Sequence, residues 1–84
     1  MFILDYFDHC NTYGELVECV KALSSEFLID AMYVAEDFIG GPDEFNTWEQ
    51  DIFEACWDEL NSRGISNNEL KESGITFWFY EESM

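Results

Sequence analysis

Three cations, Lys21, Arg63 and Lys71, stand against nineteen Asp and Glu residues, leaving a formal net charge of −16 at neutral pH. Self-repulsion on that scale opposes any compact state, so a fold must bury enough apolar surface to overcome it. The material is present. Hydrophobic residues make up 48% of the chain and aromatic residues 18%, far more than a solvating acidic tail carries. Eighty-four residues give a single domain, 1–84, with a limited core.

The charge also exceeds what solubility requires, since roughly 2–8 units suffice for a small domain. Its field repels nucleic acid and anionic membranes and steers the chain toward basic surfaces. The expected partner is therefore a basic protein, with no direct nucleic-acid binding and no membrane association. Cys10, Cys19 and Cys56 are odd in number and contain no CxxC pair, which is not the disulfide framework of a secreted mini-protein. No stretch reaches about 18 uninterrupted apolar residues, and Met1–Asp5 lacks the basic region of a signal peptide. A cytoplasmic location is the expectation.

Along the chain, Phe2–Phe7 is rich in β-formers with Asp5 in its middle, and the pattern predicts a half-exposed strand interrupted by Asp8–Asn11. Thr12 and Glu15 have capping-box spacing, so a helix starts at Tyr13 and turns Tyr13, Leu16, Val17, Val20 and Leu23 inward. Ser24–Ser25 leads into a second helix that runs to about Ile39 and stops at Gly40-Gly41-Pro42. Its predicted inward face is Phe27, Leu28, Ala31, Val34, Ala35 and Phe38, opposite an outward stripe of Glu26, Asp30, Tyr33 and Asp37.

Asn46 or Thr47 caps a third helix that Gly64 closes, with Trp48, Ile52, Phe53, Cys56 and Leu60 inward. Asp51, Glu54 and Asp58 fall within an arc of roughly 60° on the other side, an acidic ridge with Trp57 beside it. Ser66 and Glu69 repeat the capping-box spacing ahead of a short helical turn ended by Gly74. Ile75–Tyr80 alternates Ile75, Phe77 and Phe79 with Thr76, Trp78 and Tyr80, the pattern of a strand. The order predicts an α+β fold: three helices and a short turn on a minimal sheet that pairs the two terminal strands. A two-stranded sheet leaves edges that a second copy of the chain can cover, so a homodimer is one expected state.

No catalytic, cofactor-binding or metal-binding residues are assigned from the sequence. His9 beside Cys10 would point to the opposite face of an extended strand. The acids lie on outward helical faces rather than in a cleft that raises one pKa for acid–base work. Asp43–Glu54 has the length of a calcium-binding EF-hand loop, but Phe45 occupies a ligand position and Trp48 the position of the turn glycine. His9, Cys10, Cys19 and Cys56 lack zinc-ligand spacing.

What remains is the charge asymmetry, because an ordinary solvated surface intersperses both signs. Helical carboxylates three and four residues apart rise roughly 4.5–6 Å from one to the next, while duplex DNA carries one charge per about 1.7 Å of axis. Two or three such helices side by side approach that density and can occupy a basic groove. Glu26, Asp30, Tyr33, Asp37, Asp51, Glu54, Trp57 and Asp58 are the candidate partner-binding residues. Trp78 and Tyr80 are further aromatic contacts.

In length, charge, aromatic content and layout the chain resembles the small acidic inhibitors of phages and mobile elements, the anti-CRISPR and anti-restriction proteins, several of which are DNA mimics. The resemblance implies a non-enzymatic protein that blocks the nucleic-acid surface of a CRISPR effector, restriction enzyme or nuclease in the host cytoplasm. Those inhibitors share no common fold, and no site residue is carried over from them. Two alternatives stand beside this reading: an immunity protein neutralising a nuclease toxin, and a structural or regulatory subunit of an obligate assembly.

Overall fold

The structure is a computed structural model that describes residues 3–38 and 47–77. A 3-10 helix, Ile3–Phe7, is followed by α1 (Tyr13–Lys21), α2 (Ser25–Phe38), α3 (Thr47–Ser62) and α4 (Asn67–Glu72). The α+β expectation does not hold, because the described residues form helices and no strand.

Both ends of the expected sheet fail for identifiable reasons. Near the amino terminus, the buried residues are Leu4, Phe7 and Cys10, three apart. A 3-10 helix with three residues per turn stacks such positions on one side, whereas a strand would send Leu4 and Phe7 to opposite faces. At the other end, Ile75 and Phe77 are buried around exposed Thr76, so the alternation is present without a sheet. Phe77 has a left-handed φ of 56°, incompatible with continued strand geometry. The backbone N–H groups that a neighbouring strand would bind instead donate to one carboxylate: Thr76 N to Glu36 Oε1 at 3.0 Å and Phe77 N to Oε2 at 2.8 Å. The Thr76 hydroxyl donates to the same group at 3.0 Å. Glu36 is thereby buried, at 5% exposure, with its lone pairs occupied as burial of a charge demands. Trp78–Tyr80 and the Gly40-Gly41-Pro42 stop lie outside the described residues.

The helices begin and end where local chemistry directs. Thr12 Oγ1 accepts from Glu15 N at 3.2 Å, and the Glu15 carboxylate accepts from Asn11 N at 2.8 Å. Ser24 and Ser66 cap α2 and α4 in the same manner, accepting from Phe27 N and Glu69 N. After α3, Gly64 at φ 91° carries bonds from Ile65 N to Leu60 O and from Gly64 N to Asn61 O, the Schellman closure that favours glycine. Gly74 at φ 107° repeats it after α4, with Ile75 N on Leu70 O.

Apolar packing supplies the rest. Leu16 and Val20 of α1, Leu28, Ala31, Met32 and Ala35 of α2, and Ile52, Phe53, Ala55, Cys56 and Leu60 of α3 share one core with Leu4 and Phe7. Each large side chain so buried contributes about 1.5–3 kcal/mol relative to exposure. The α3 face matches the sequence pattern. In α2 the buried arc is rotated toward Met32 and Glu36, and Phe38, expected inward, is 50% exposed. Arg63 ties three helices at one corner. It donates to Glu59 Oε2 at 2.8 Å, to Ser25 Oγ at 3.1 Å and to the Val20 and Lys21 carbonyls that end α1, at 3.2 and 3.3 Å.

Candidate functional site

The third helix places the expected acidic ridge only partly in solvent. Ile52, Phe53, Ala55, Cys56 and Leu60 take the core side, which leaves Asp51 and Glu54 half-buried and Asp58 exposed on the other. Asp51 is held above its ordinary carboxylate pKa, first by partial burial and then by the neighbouring charge of Glu54. Tyr13, at the start of α1, lies beside the ridge. Burial and then the charges of Asp58, Glu54 and Asp51 push its phenol above the ordinary value of 10.0, and a hydrogen bond to Asp58 adds to the effect. Two cations are engaged elsewhere, Lys21 with Glu18 at 3.4 Å and Arg63 with Glu59.

Glu26, Asp30, Tyr33 and Asp37 are all exposed on α2, as expected for the outward stripe. The stripe is thus open to solvent along its length, whereas the ridge is partly covered at Asp51 and Glu54. The Tyr33 ring covers Gly74, where an added Cβ would come within 3.2 Å of it. Trp57 is committed to the fold: its indole N–H donates to Asn67 Oδ1 at 2.7 Å and its ring lies 4.9 Å from that of Phe77. No protein-family model, no curated protein and no solved structure matches the chain. The ridge and the stripe are therefore read from their own chemistry.

A second arrangement, not assigned from the sequence, joins the amino-terminal segment to α1. His9 and Cys10 follow the 3-10 helix in a turn fixed by Asp8 N to Asp5 O and Cys10 N to Phe7 O. Because the segment is a turn rather than a strand, both side chains swing toward α1, and the strand-based argument for their separation fails. His9 Nε2 lies 3.9 Å from Cys19 Sγ, and the ligand atoms of His9, Cys10 and Cys19 all fall within 4.8 Å of one another. Cys10 is buried; desolvation, then the Cys19 thiol, push its pKa up. An open cavity of about 670 Å³, lined in part by Tyr6, Glu15 and Glu18, adjoins the group. Cys56 is wholly buried in the core, where desolvation pushes its thiol up to about 12.

The sequence signal for this group was hidden, since a separation of nine residues between Cys10 and Cys19 matches no familiar ligand spacing. No helix among the described residues is long and apolar enough to cross a membrane.

Proposed function

We propose that the chain is an acidic inhibitor that binds the basic nucleic-acid-binding surface of another protein and blocks it, in the manner of a DNA mimic acting on a CRISPR effector, restriction enzyme or nuclease. The observation that carries this reading is the net charge of −16 on a folded helical scaffold. A compact body with so one-signed a field is steered to cationic grooves and away from nucleic acid itself. The α3 ridge with Tyr13 is the contact surface we favour, because there the charge of Glu54 adds to burial in raising the Asp51 pKa, and the charges of Asp58, Glu54 and Asp51 add to burial in raising that of the Tyr13 phenol. A basic partner relieves that repulsion on binding. The α2 stripe of Glu26, Asp30, Tyr33 and Asp37 is the second contact surface. The protein acts by occupancy, without a catalytic step, in the cytoplasm where such partners work.

The test is displacement. Labelled duplex DNA is bound to a purified CRISPR effector or restriction enzyme, the protein is titrated in, and DNA anisotropy is followed. Loss of anisotropy with the effectors, and no change with DNA alone, supports the reading. Reversal of Asp51, Glu54 and Asp58 to Lys should slow association and flatten its salt dependence, since peripheral charges act chiefly through steering. If no basic nucleic-acid-binding protein in such a panel releases its DNA, occlusion is the wrong mechanism.

A further inference from the structure

We propose that His9, Cys10 and Cys19 form a binding site for one thiophilic divalent cation of the zinc class. The argument starts from geometry. Zinc bonds of about 2.3 Å to sulfur and about 2.0 Å to nitrogen, arranged tetrahedrally, place ligand atoms about 3.5–3.8 Å apart. The His9–Cys19 distance of 3.9 Å already approaches this, and the whole set lies within 4.8 Å, so side-chain adjustment of under about 1 Å closes the site.

Independent features of the fold hold the ligands there. The Tyr6 ring meets His9 edge-on at 5.9 Å between centroids and in turn packs on Phe27 of α2 at 5.3 Å, which restrains the imidazole from behind. Cys10 is anchored by its backbone bond to Phe7 and by burial. Cys19 is placed by α1, whose start is fixed by the Thr12 and Glu15 caps. The adjoining cavity leaves the fourth position open to a water molecule, the coordination of three protein ligands and one solvent.

Two thiols and one imidazole are a soft donor set that selects zinc-class ions over magnesium or calcium, which prefer all-oxygen surroundings. Binding releases both thiol protons as the divalent ion enters, so the net charge of the protein does not change. Ions condensed on the surface acids, by contrast, reduce the negative charge. This difference separates the site from nonspecific association on so acidic a chain. A bound ion would also staple the amino-terminal segment to α1, the kind of reinforcement small domains use.

The experiment uses the reduced full chain with Co²⁺ as a spectroscopic probe, in excess Mg²⁺ and moderate salt to suppress binding to surface carboxylates. The expected result is a thiolate-to-cobalt charge-transfer band that saturates at one ion per chain, is displaced by Zn²⁺ and is accompanied by release of about two protons. Cys19→Ser and His9→Gln should weaken Zn²⁺ binding by at least about 100-fold, beyond the 10–100-fold that loss of a merely supporting contact costs. Cys56→Ala should leave the band unchanged, with circular dichroism confirming that each variant is folded. The proposal is overturned by absence of the band in the folded wild-type protein. It is equally overturned if Cys19→Ser binds as well as the wild type, or if Mg²⁺ abolishes binding. A band lost in Cys56→Ala and kept in Cys19→Ser would place the site elsewhere and reject this one.

Discussion

Glu36 and the α3 ridge are both carboxylate positions in a chain with nineteen acids, yet their surroundings are opposite. Glu36 is buried and accepts from three donors, the backbone N–H groups of Thr76 and Phe77 and the Thr76 hydroxyl, at 2.8–3.1 Å. Asp51, on the ridge, is held above its ordinary pKa first by partial burial and then by the charge of Glu54. At Glu36 the negative charge takes the place of a missing strand, holding the chain after α4 against α2. On the ridge it opposes folding and is available to a partner. The contrast teaches that the charge excess is divided between one role inside the fold and another outside it, and that removing an acid can change stability in either direction.

The largest expected effect lies at a third kind of acid, Glu59, which is paired with a cation, Arg63. Arg63→Met keeps the aliphatic stem and removes the bonds to Glu59, Ser25 and the α1 carbonyls; it should cost about 3 kcal/mol, read from urea denaturation midpoints at constant slope. Glu36→Gln comes next. It lowers the net negative charge, so an account based on total repulsion predicts stabilisation. The structure predicts a loss of about 2 kcal/mol, because the amide supplies one acceptor oxygen where both carboxylate oxygens are used. A Glu36→Gln protein more stable than the parent would reject the anchoring role.

How far the sequence reveals this architecture follows the range of the forces involved. The caps at Thr12 and Ser66, the glycine closures at Gly64 and Gly74 and the buried face of α3 were legible because each depends on residues a few positions apart. The amino-terminal segment was not. Five or six apolar and aromatic residues fit a strand or a 3-10 helix equally well locally, and the choice falls to the tertiary contacts of Leu4 and Phe7 with the core. Glu36 was invisible as one acid among many until α2 rolled it toward Thr76, a roll that also left Phe38 outside. Tyr13 reads as a core residue of α1 by spacing, but its position at the first turn brings it to the ridge instead. His9, Cys10 and Cys19 converge only because the turn after Phe7 folds back over α1.

Ridge neutralisation should act in the opposite sense to Glu36→Gln and more weakly. Asp51→Asn with Glu54→Gln and Asp58→Asn should stabilise the chain by less than about 1 kcal/mol, since solvent screens partly exposed charges. Raising salt from low to physiological concentration, where the screening length shrinks to about 8 Å, should raise the wild-type melting temperature and raise that of the triple variant less. The pH dependence has a definite sign. The folded pKa of Asp51 lies above its ordinary value of 3.8, so its contribution to stability is fully present below that ordinary value and is lost as pH rises through the folded one. Acidification through the folded pKa and down toward 3.8 should therefore increase stability through this residue, and Asp51→Asn should remove that part of the gain.

The smallest effect sharpens the comparison most, because it reads the ridge without unfolding the protein. Tyr13 titrates above 10.0 in part because Asp58, Glu54 and Asp51 disfavour a phenolate beside them. Ultraviolet absorbance across the alkaline range, with Tyr13→Phe subtracted to isolate this ring from the other three tyrosines, should show a late transition. In the neutralised triple variant the transition should move down toward the ordinary value, though not fully, since burial is the larger cause of the shift and persists. The Glu26, Asp30 and Asp37 changes to amides remove the same number of charges from α2 and should leave the Tyr13 transition nearly in place. If both triple variants move it equally, the phenol senses only the total charge of the molecule, and the ridge is not the localised cluster on which the binding surface is built.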